Sequence, residues 1–201
     1  MKTAYMIHGG GEDPSSCWFP WLKKQLEQNK YTVFIPQMPN RTEDISGWVD
    51  VLVRTITNQG QTIIIGHSRG CQAILRYLQN SSLKFAGIYL VAPFTKLKHD
   101  DWRSQSIAHW LKKPIDWMAI KKTAPIFVAI FSDNDDIVDV SESDIFKKNL
   151  GAKIIIEHKQ GHFDDAAKIT ELPRLWSELN KTPTFSYNLK SCVFRLVVKS
   201  E

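Results

Sequence analysis

A serine, a cluster of aspartates and a histidine follow one another along this chain, each just beyond an apolar run, and together these residue types could perform nucleophilic acyl transfer. The serine is Ser68, set in Thr62-Ile63-Ile64-Ile65-Gly66-His67-Ser68-Arg69-Gly70-Cys71. The β-branched residues before it predict a strand, and Ala73-Ile74-Leu75-Arg76-Tyr77-Leu78 behind it predicts a helix, so Gly66-x-Ser68-x-Gly70 must turn sharply between the two. Glycine two places before and two places after the serine removes the Cβ atoms that would collide with strand and helix. Such a turn lifts the Ser68 hydroxyl clear of a sheet. It also leaves the Arg69 backbone N–H at a helix N-terminus, where an unpaired donor and the dipole favour a developing negative charge.

A hydroxyl is a poor nucleophile until a base takes its proton, and the base then needs a carboxylate to fix its tautomer. His162, in Gly161-His162-Phe163, is the candidate base: it follows the apolar run Ile154-Ile155-Ile156, sits behind a glycine and is the last histidine in the chain. Four aspartates, Asp133, Asp135, Asp136 and Asp139, compete to be the acid in the loop after the apolar run 126–131. His8 and His67 read as loop-bracing side chains bonded to backbone, and His99, His109 and His158 as surface or cap residues. No cluster has metal-ligand spacing, so a mechanism free of metal and cofactor is predicted. The glycine loop His8-Gly9-Gly10-Gly11-Glu12-Asp13-Pro14 fits neither nucleotide motif: Pro14 stands where a dinucleotide fingerprint wants glycine, and Gly-Lys-Ser/Thr is missing.

The elements that must position these residues can be read from periodicity. Strands are predicted at 4–7, 31–35, 62–65, 85–91, 126–131 and 154–156, and several are continuously apolar, which implies that both faces of the sheet are covered. Helical spacing places a helix on Trp18, Trp21, Leu22 and Leu26 behind a Ser15 or Ser16 N-cap, with Pro20 in its first turn. A second spans 44–59, a third runs from about 142 to 150 with Ser141 and Asp144 as a capping box, and a last one passes through Leu172, Leu175, Trp176 and Leu179. The fold class is therefore α/β, a doubly wound, mostly parallel six-stranded sheet in one domain over 1–180. Its crevice should open between the first and third strands, where the glycine loop, Ser68, the acidic loop and the Gly161-His162 turn converge. The polar, tryptophan-rich segment 94–122 reads as a small cap, and Trp18, Phe94 and Trp110 are candidate walls of a substrate pocket.

Composition narrows the rest. A net charge of +5 is spread over separate lysines rather than gathered, which points away from nucleic acid and membrane partners and toward a small-molecule substrate. Cys17, Cys71 and Cys192 are odd in number and lack Cys-x-x-Cys spacing, so neither a disulfide framework nor a structural zinc is expected. With no signal-like or membrane-spanning run, a cytoplasmic protein is the expectation. Residues 181–201 form a β-prone tail of unknown role that would promote association, the chain being otherwise a monomer or weak homodimer.

The chain resembles the small RBBP9/YdeN-type serine hydrolases, a compact branch of the α/β-hydrolase superfamily. Ile7-His8-Gly9-Gly10, Trp18-Phe19-Pro20-Trp21-Leu22, Met38-Pro39-Asn40, Gly66-His67-Ser68, Ile74-Leu75-Arg76 and Gly161-His162-Phe163 carry the likeness. The resemblance implies Ser68 as nucleophile, Asp135 as acid, His162 as base, and Gly10 with Arg69 as backbone donors to an oxyanion. In that family's pattern a proline follows the acid by four residues, and Asp139 replaces it here. The function so implied is hydrolysis of small carboxylic esters, amides or thioesters through an acyl-enzyme. The alternative is a non-catalytic interaction module built on a hydrolase fold.

Overall fold

The computed structural model describes residues 2–39, 44–57 and 60–183. Six strands, β1 (Lys2–Ile7), β2 (Tyr31–Phe34), β3 (Thr62–His67), β4 (Gly87–Val91), β5 (Phe127–Ser132) and β6 (Lys153–Glu157), form one parallel sheet in the order β2-β1-β3-β4-β5-β6. The helices are α1 (Phe19–Gln28), α2 (Ile45–Thr55), α3 (Arg69–Leu78), α4 (Trp102–Leu111), α5 (Trp117–Lys121), α6 (Glu142–Leu150) and α7 (Pro173–Leu179). Strands β3, β4 and β5 are buried at every residue, because helices lie on both faces at the centre of the sheet. The outer strands are less covered: β2 alternates between half-buried and exposed residues, and on β6 Ile156 is 56% exposed. Among the described residues no helix is long and apolar enough to cross a membrane.

The chain steps from β1 outward to β2 and then back past β1 to β3, after which every strand is added on the other side. The direction of winding therefore reverses between β1 and β3, and the loops leaving those two strands rise side by side with a crevice between them. The glycine loop after β1 and the turn after β3 are brought together in this way.

Helix α3 is buried along its whole length, polar residues included. Its Arg76 guanidinium donates to the carbonyls of Trp110, Lys113 and Pro114 at 3.0, 2.7 and 2.8 Å, so one buried cation satisfies the C-terminal end of α4 and ties it to the sheet. Glu142, at the start of α6, accepts from the Thr95 N–H at 2.5 Å and its hydroxyl at 2.7 Å, anchoring the beginning of the same segment.

Two helix starts differ from expectation. Helix α1 is capped at Trp18 with no side-chain bond, since Ser15 and Ser16 are engaged by Asp13 in the preceding turn. The Ser141–Asp144 capping box does not form: Ser141 makes no side-chain cap and donates its N–H to Asp139 at 2.9 Å. Helix α2 starts on Asp44, whose carboxylate accepts the Ile45 N–H at 2.7 Å, and ends at Thr55, short of the expected 59. The predicted tail strands at 184–201 lie outside the described residues.

Candidate active site

Ser68 joins β3 to α3 with φ 50° and ψ −117°, a conformation that costs a non-glycine residue about 1–3 kcal/mol. Neighbouring backbone holds it there: its N–H donates to the Val91 carbonyl and its carbonyl accepts from Cys71, both at 2.9 Å. A Cβ at position 70 would lie closer than 3.0 Å to the carbonyl oxygens of Ile7 and His8, and one at 66 would press on the Cys71 backbone at 3.2 Å. The two glycines thus let α3 descend onto the sheet. Cys71 is a packing residue beneath the turn, its thiol donating to the Val91 carbonyl and pushed up in pKa by burial.

His162 lies in the loop between β6 and α7. Its Nε2 is 2.8 Å from Ser68 Oγ and its Nδ1 is 2.8 Å from Asp135 Oδ2. Asp135 Oδ1 accepts the backbone N–H groups of Ile137 and Val138 at 2.8 and 3.0 Å. Ser68, His162 and Asp135 are buried, so the chain of bonds is shielded from bulk water while Ser68 opens onto a pocket. The competing aspartates are elsewhere: Asp133 is exposed and bonds to His158 at 2.5 Å and the Lys159 N–H at 2.9 Å, Asp136 is exposed, and Asp139 holds the Ser141 N–H. The acidic loop is also bonded to the histidine loop. Asn134 Oδ1 accepts from the Ser132 hydroxyl at 2.8 Å and the Gly161 N–H at 2.9 Å, and Ser132 Oγ accepts from the Gln160 N–H at 3.0 Å.

The pocket has a volume of about 330 Å³. Phe94, Leu97, Ile107 and Ile137 give its lining an apolar part, and Gly10, Gly11, Glu12, Asp164 and Asp165 line it as well. Arg69 bends along the wall, donating to the Ser106 hydroxyl at 2.7 Å with its guanidinium 5.7 Å from the Trp110 ring centre. Of the three expected pocket aromatics only Phe94 lines it. Trp18 and Trp110 are fully buried: Trp18 donates its indole N–H to the Phe163 carbonyl at 3.1 Å, and Trp110 packs edge-on against Trp48. They back the site from the core and do not face a ligand.

Two residues escaped the reading of the sequence as a site. Glu12 accepts from the Gly9 N–H at 2.6 Å and contacts His67 Nδ1 at 2.9 Å, and His67 Nε2 is 2.7 Å from the His162 carbonyl oxygen. His67 does brace a loop, and the loop is the one that carries His162. The only signal in the sequence was that His67 extends a fully buried strand, where a ring must find partners.

A twisted parallel sheet with a glycine-flanked serine turn after its third strand, and an aspartate and a histidine bonded in line with it after its last two, defines an α/β-hydrolase-type enzyme. A family model described as serine hydrolase matches residues 4–181, and the chain belongs to that serine hydrolase family. YdeN of Bacillus subtilis is 31% identical over 182 residues, covering 89% of this chain and 94% of that one. The serine hydrolase RBBP9 of Rattus norvegicus is 27% identical over 160 residues, 79% of this chain and 84% of its own. The crystal structure of the B. subtilis ydeN product superposes with a TM-score of 0.84 over 90% of this chain and 98% of the other. A carboxylesterase structure from Nitrososphaera gargenis, 14% identical, shares the fold with a TM-score of 0.70 over 89% of this chain and 88% of its own.

Proposed function

We propose that the protein hydrolyses small carboxylic esters, with amides or thioesters as related substrates, through an acyl-enzyme on Ser68. The observation that carries this reading is the continuous run of hydrogen bonds from Ser68 Oγ through the His162 ring to Asp135, opening at the serine end into a small pocket. His162 Nε2 takes the Ser68 proton as Oγ attacks the substrate carbonyl, and Asp135 stabilises the imidazolium. Negative charge then grows on the carbonyl oxygen. The backbone N–H groups of Gly10 and Arg69 receive it: both residues line the pocket beside Ser68, and Arg69 is the first residue of α3, where helical donors lack internal partners.

The imidazolium protonates the departing alcohol, amine or thiol, an ester forms on Ser68, and a water deprotonated by His162 releases the acid. The acyl chain occupies the part lined by Phe94, Leu97 and Ile107, all supplied by the segment after β4, which serves as the cap. A dispersed positive charge and a small pocket favour a small molecule over a nucleic acid or a membrane surface.

Labelling by a fluorophosphonate tests the reading. Wild type is expected to react and Ser68→Ala to stay unlabelled while keeping its fold, with an ester panel of increasing acyl length showing the same dependence on Ser68. Absence of labelling in wild type would leave the interaction module as the better account.

A further inference from the structure

Both ring nitrogens of His67 face acceptors. Nδ1 lies 2.9 and 3.0 Å from the two carboxylate oxygens of Glu12, and Nε2 lies 2.7 Å from the His162 carbonyl oxygen. The His67 side chain is fully buried, so no solvent molecule stands in for either partner. A carbonyl oxygen has no proton to offer, so Nε2 carries one. Glu12 also accepts the Gly9 N–H at 2.6 Å and the Cys17 thiol at 3.4 Å, and a group surrounded by donors is satisfied as a carboxylate, which requires the second proton on Nδ1.

The electrostatics agree with this count. Burial, the largest single effect, pulls the His67 pKa down and pushes that of Glu12 up, yet their mutual attraction together with the hydrogen bonds around them outweighs it: His67 is raised and Glu12 is held at about 2. Asp164 also favours the charged ring, whereas His8 and His162, whose ring centre is 5.1 Å away, are the like-charged neighbours when protonated.

What the charged ring holds is the peptide of His162. That residue sits between Gly161 at φ 53° and Phe163 at φ 60°, so its direction depends on outside anchors. Asn134 holds the Gly161 N–H and Trp18 holds the Phe163 carbonyl, but among the described residues it is His67 that grips the carbonyl of His162 itself, and it does so with a charge-assisted bond. His67 is also the residue before Ser68, so the chain that delivers the nucleophile fixes the peptide that delivers the base.

We propose that Glu12 and His67 form a buried charged positioning pair, in which the carboxylate keeps the His67 ring doubly protonated and the ring clamps the His162 peptide within reach of Ser68. The proposal rests on the hydrolase reading for its consequence but not for its charge state. Without the carboxylate the buried ring loses a proton, and its bond to the His162 carbonyl loses its charge assistance; in the tautomer protonated on Nδ1 that bond is lost altogether.

Two measurements on the full chain test this. Histidine side-chain ¹H–¹⁵N correlation spectra at pH 8 are expected to show both His67 nitrogens protonated in wild type and a neutral ring in Glu12→Gln. Kinetics on a chromogenic acetate ester are expected to show kcat lowered about tenfold to a hundredfold in Glu12→Gln with KM within about twofold, the effect of weakening one charge-assisted bond. The double variant with His67→Phe should be no slower than His67→Phe alone, because the two act as a unit. Should His67→Phe not fold, the spectrum and Glu12→Gln still decide. A neutral His67 in wild type at pH 8, a wild-type kcat in Glu12→Gln, or an effect confined to KM, which would make Glu12 a substrate contact, each overturns the proposal. A wild type that neither turns over ester nor labels with fluorophosphonate defeats the hydrolase reading instead, and the spectrum still reports the state of the pair.

Discussion

Asp135→Asn changes the chemistry of the site while keeping its shape. Asp135 Oδ1 accepts two backbone N–H groups, from Ile137 and Val138, and Oδ2 faces His162 Nδ1. An asparagine keeps the two backbone bonds only by placing its carbonyl oxygen there, which aims its NH₂ group at Nδ1. That nitrogen must then accept, so the imidazole proton moves to Nε2, opposite Ser68 Oγ at 2.8 Å, and no lone pair remains to take the serine proton. The opposite amide orientation would lose two hydrogen bonds of about 1 kcal/mol each and set donors against donors, so the inactive tautomer dominates. The expected loss in kcat/KM is about 10⁴-fold, or about 5 kcal/mol in the barrier. Folded stability should change by no more than about 1 kcal/mol, because the bond count is conserved. Initial rates on an acetate ester and urea unfolding of the same preparation measure both. Asp133→Asn and Asp136→Asn, on the exposed side of the loop, should stay within about twofold of wild type. A variant at position 135 retaining more than a tenth of the rate, or a large loss at 133 or 136, would refute the assignment of the acid.

Gly70→Ala should shift α3 away from the β1 carbonyls that its Cβ would overlap, costing about 1–3 kcal/mol in urea unfolding and about 10²-fold or more in fluorophosphonate labelling rate; normal labelling would show that the turn tolerates a side chain there. Stability should also depend on pH through Glu12, whose carboxyl is held at about 2 against an ordinary 4.5. A depressed pKa gives stability that is full above the ordinary value and lost as pH falls from about 4.5 toward 2, here about 3 kcal/mol. His67 is raised, so its share is full below 6.5 and is lost as pH rises through its folded value. Urea midpoints at pH 5 and pH 3 should therefore fall further for wild type than for Glu12→Gln, and equal slopes would remove the charged pair from the account.

The sheet was legible because its central strands are buried on both faces and so carry unbroken apolar runs, and the turn at Ser68 was legible because two glycines are demanded by contacts only a few residues away. Choices settled by distant partners were not. Four aspartates share one loop, and what separates Asp135 is that its carboxylate meets the His162 ring, 27 residues away, while its other oxygen is held by the Ile137 and Val138 N–H groups; no spacing displays this, and the family resemblance alone singled Asp135 out. The serine caps before α1 and α6 failed for a local reason: in each case a nearby aspartate engages the turn first. Trp18 and Trp110 have the character of a pocket wall and of a core equally, and only the packing of Trp18 under Phe163 and of Trp110 against Trp48 places them inside. The Glu12–His67 contact joins residues 55 apart. Nothing in either local stretch announces it.

The unusual backbone around the site persists because hydrogen bonds to neighbouring elements hold it. Ser68, Ala92, Gly161 and Phe163 all have positive φ, and all lie in the turns and loops that follow β3, β4 and β6. An isolated non-glycine residue in that conformation would relax. Here Ser68 is bonded to Val91, Ala92 to Ile130 and Phe163 to Gln160 at 2.9, 2.8 and 3.0 Å, so relaxing one turn means breaking the ladder or loop beside it. The bonds to Asn134, His67 and Trp18 extend the same restraint to the histidine loop. Ser68 and His162 are therefore held at bonding distance by the fold before any substrate arrives, the condition under which a fixed polar site needs no reorganisation as charge develops.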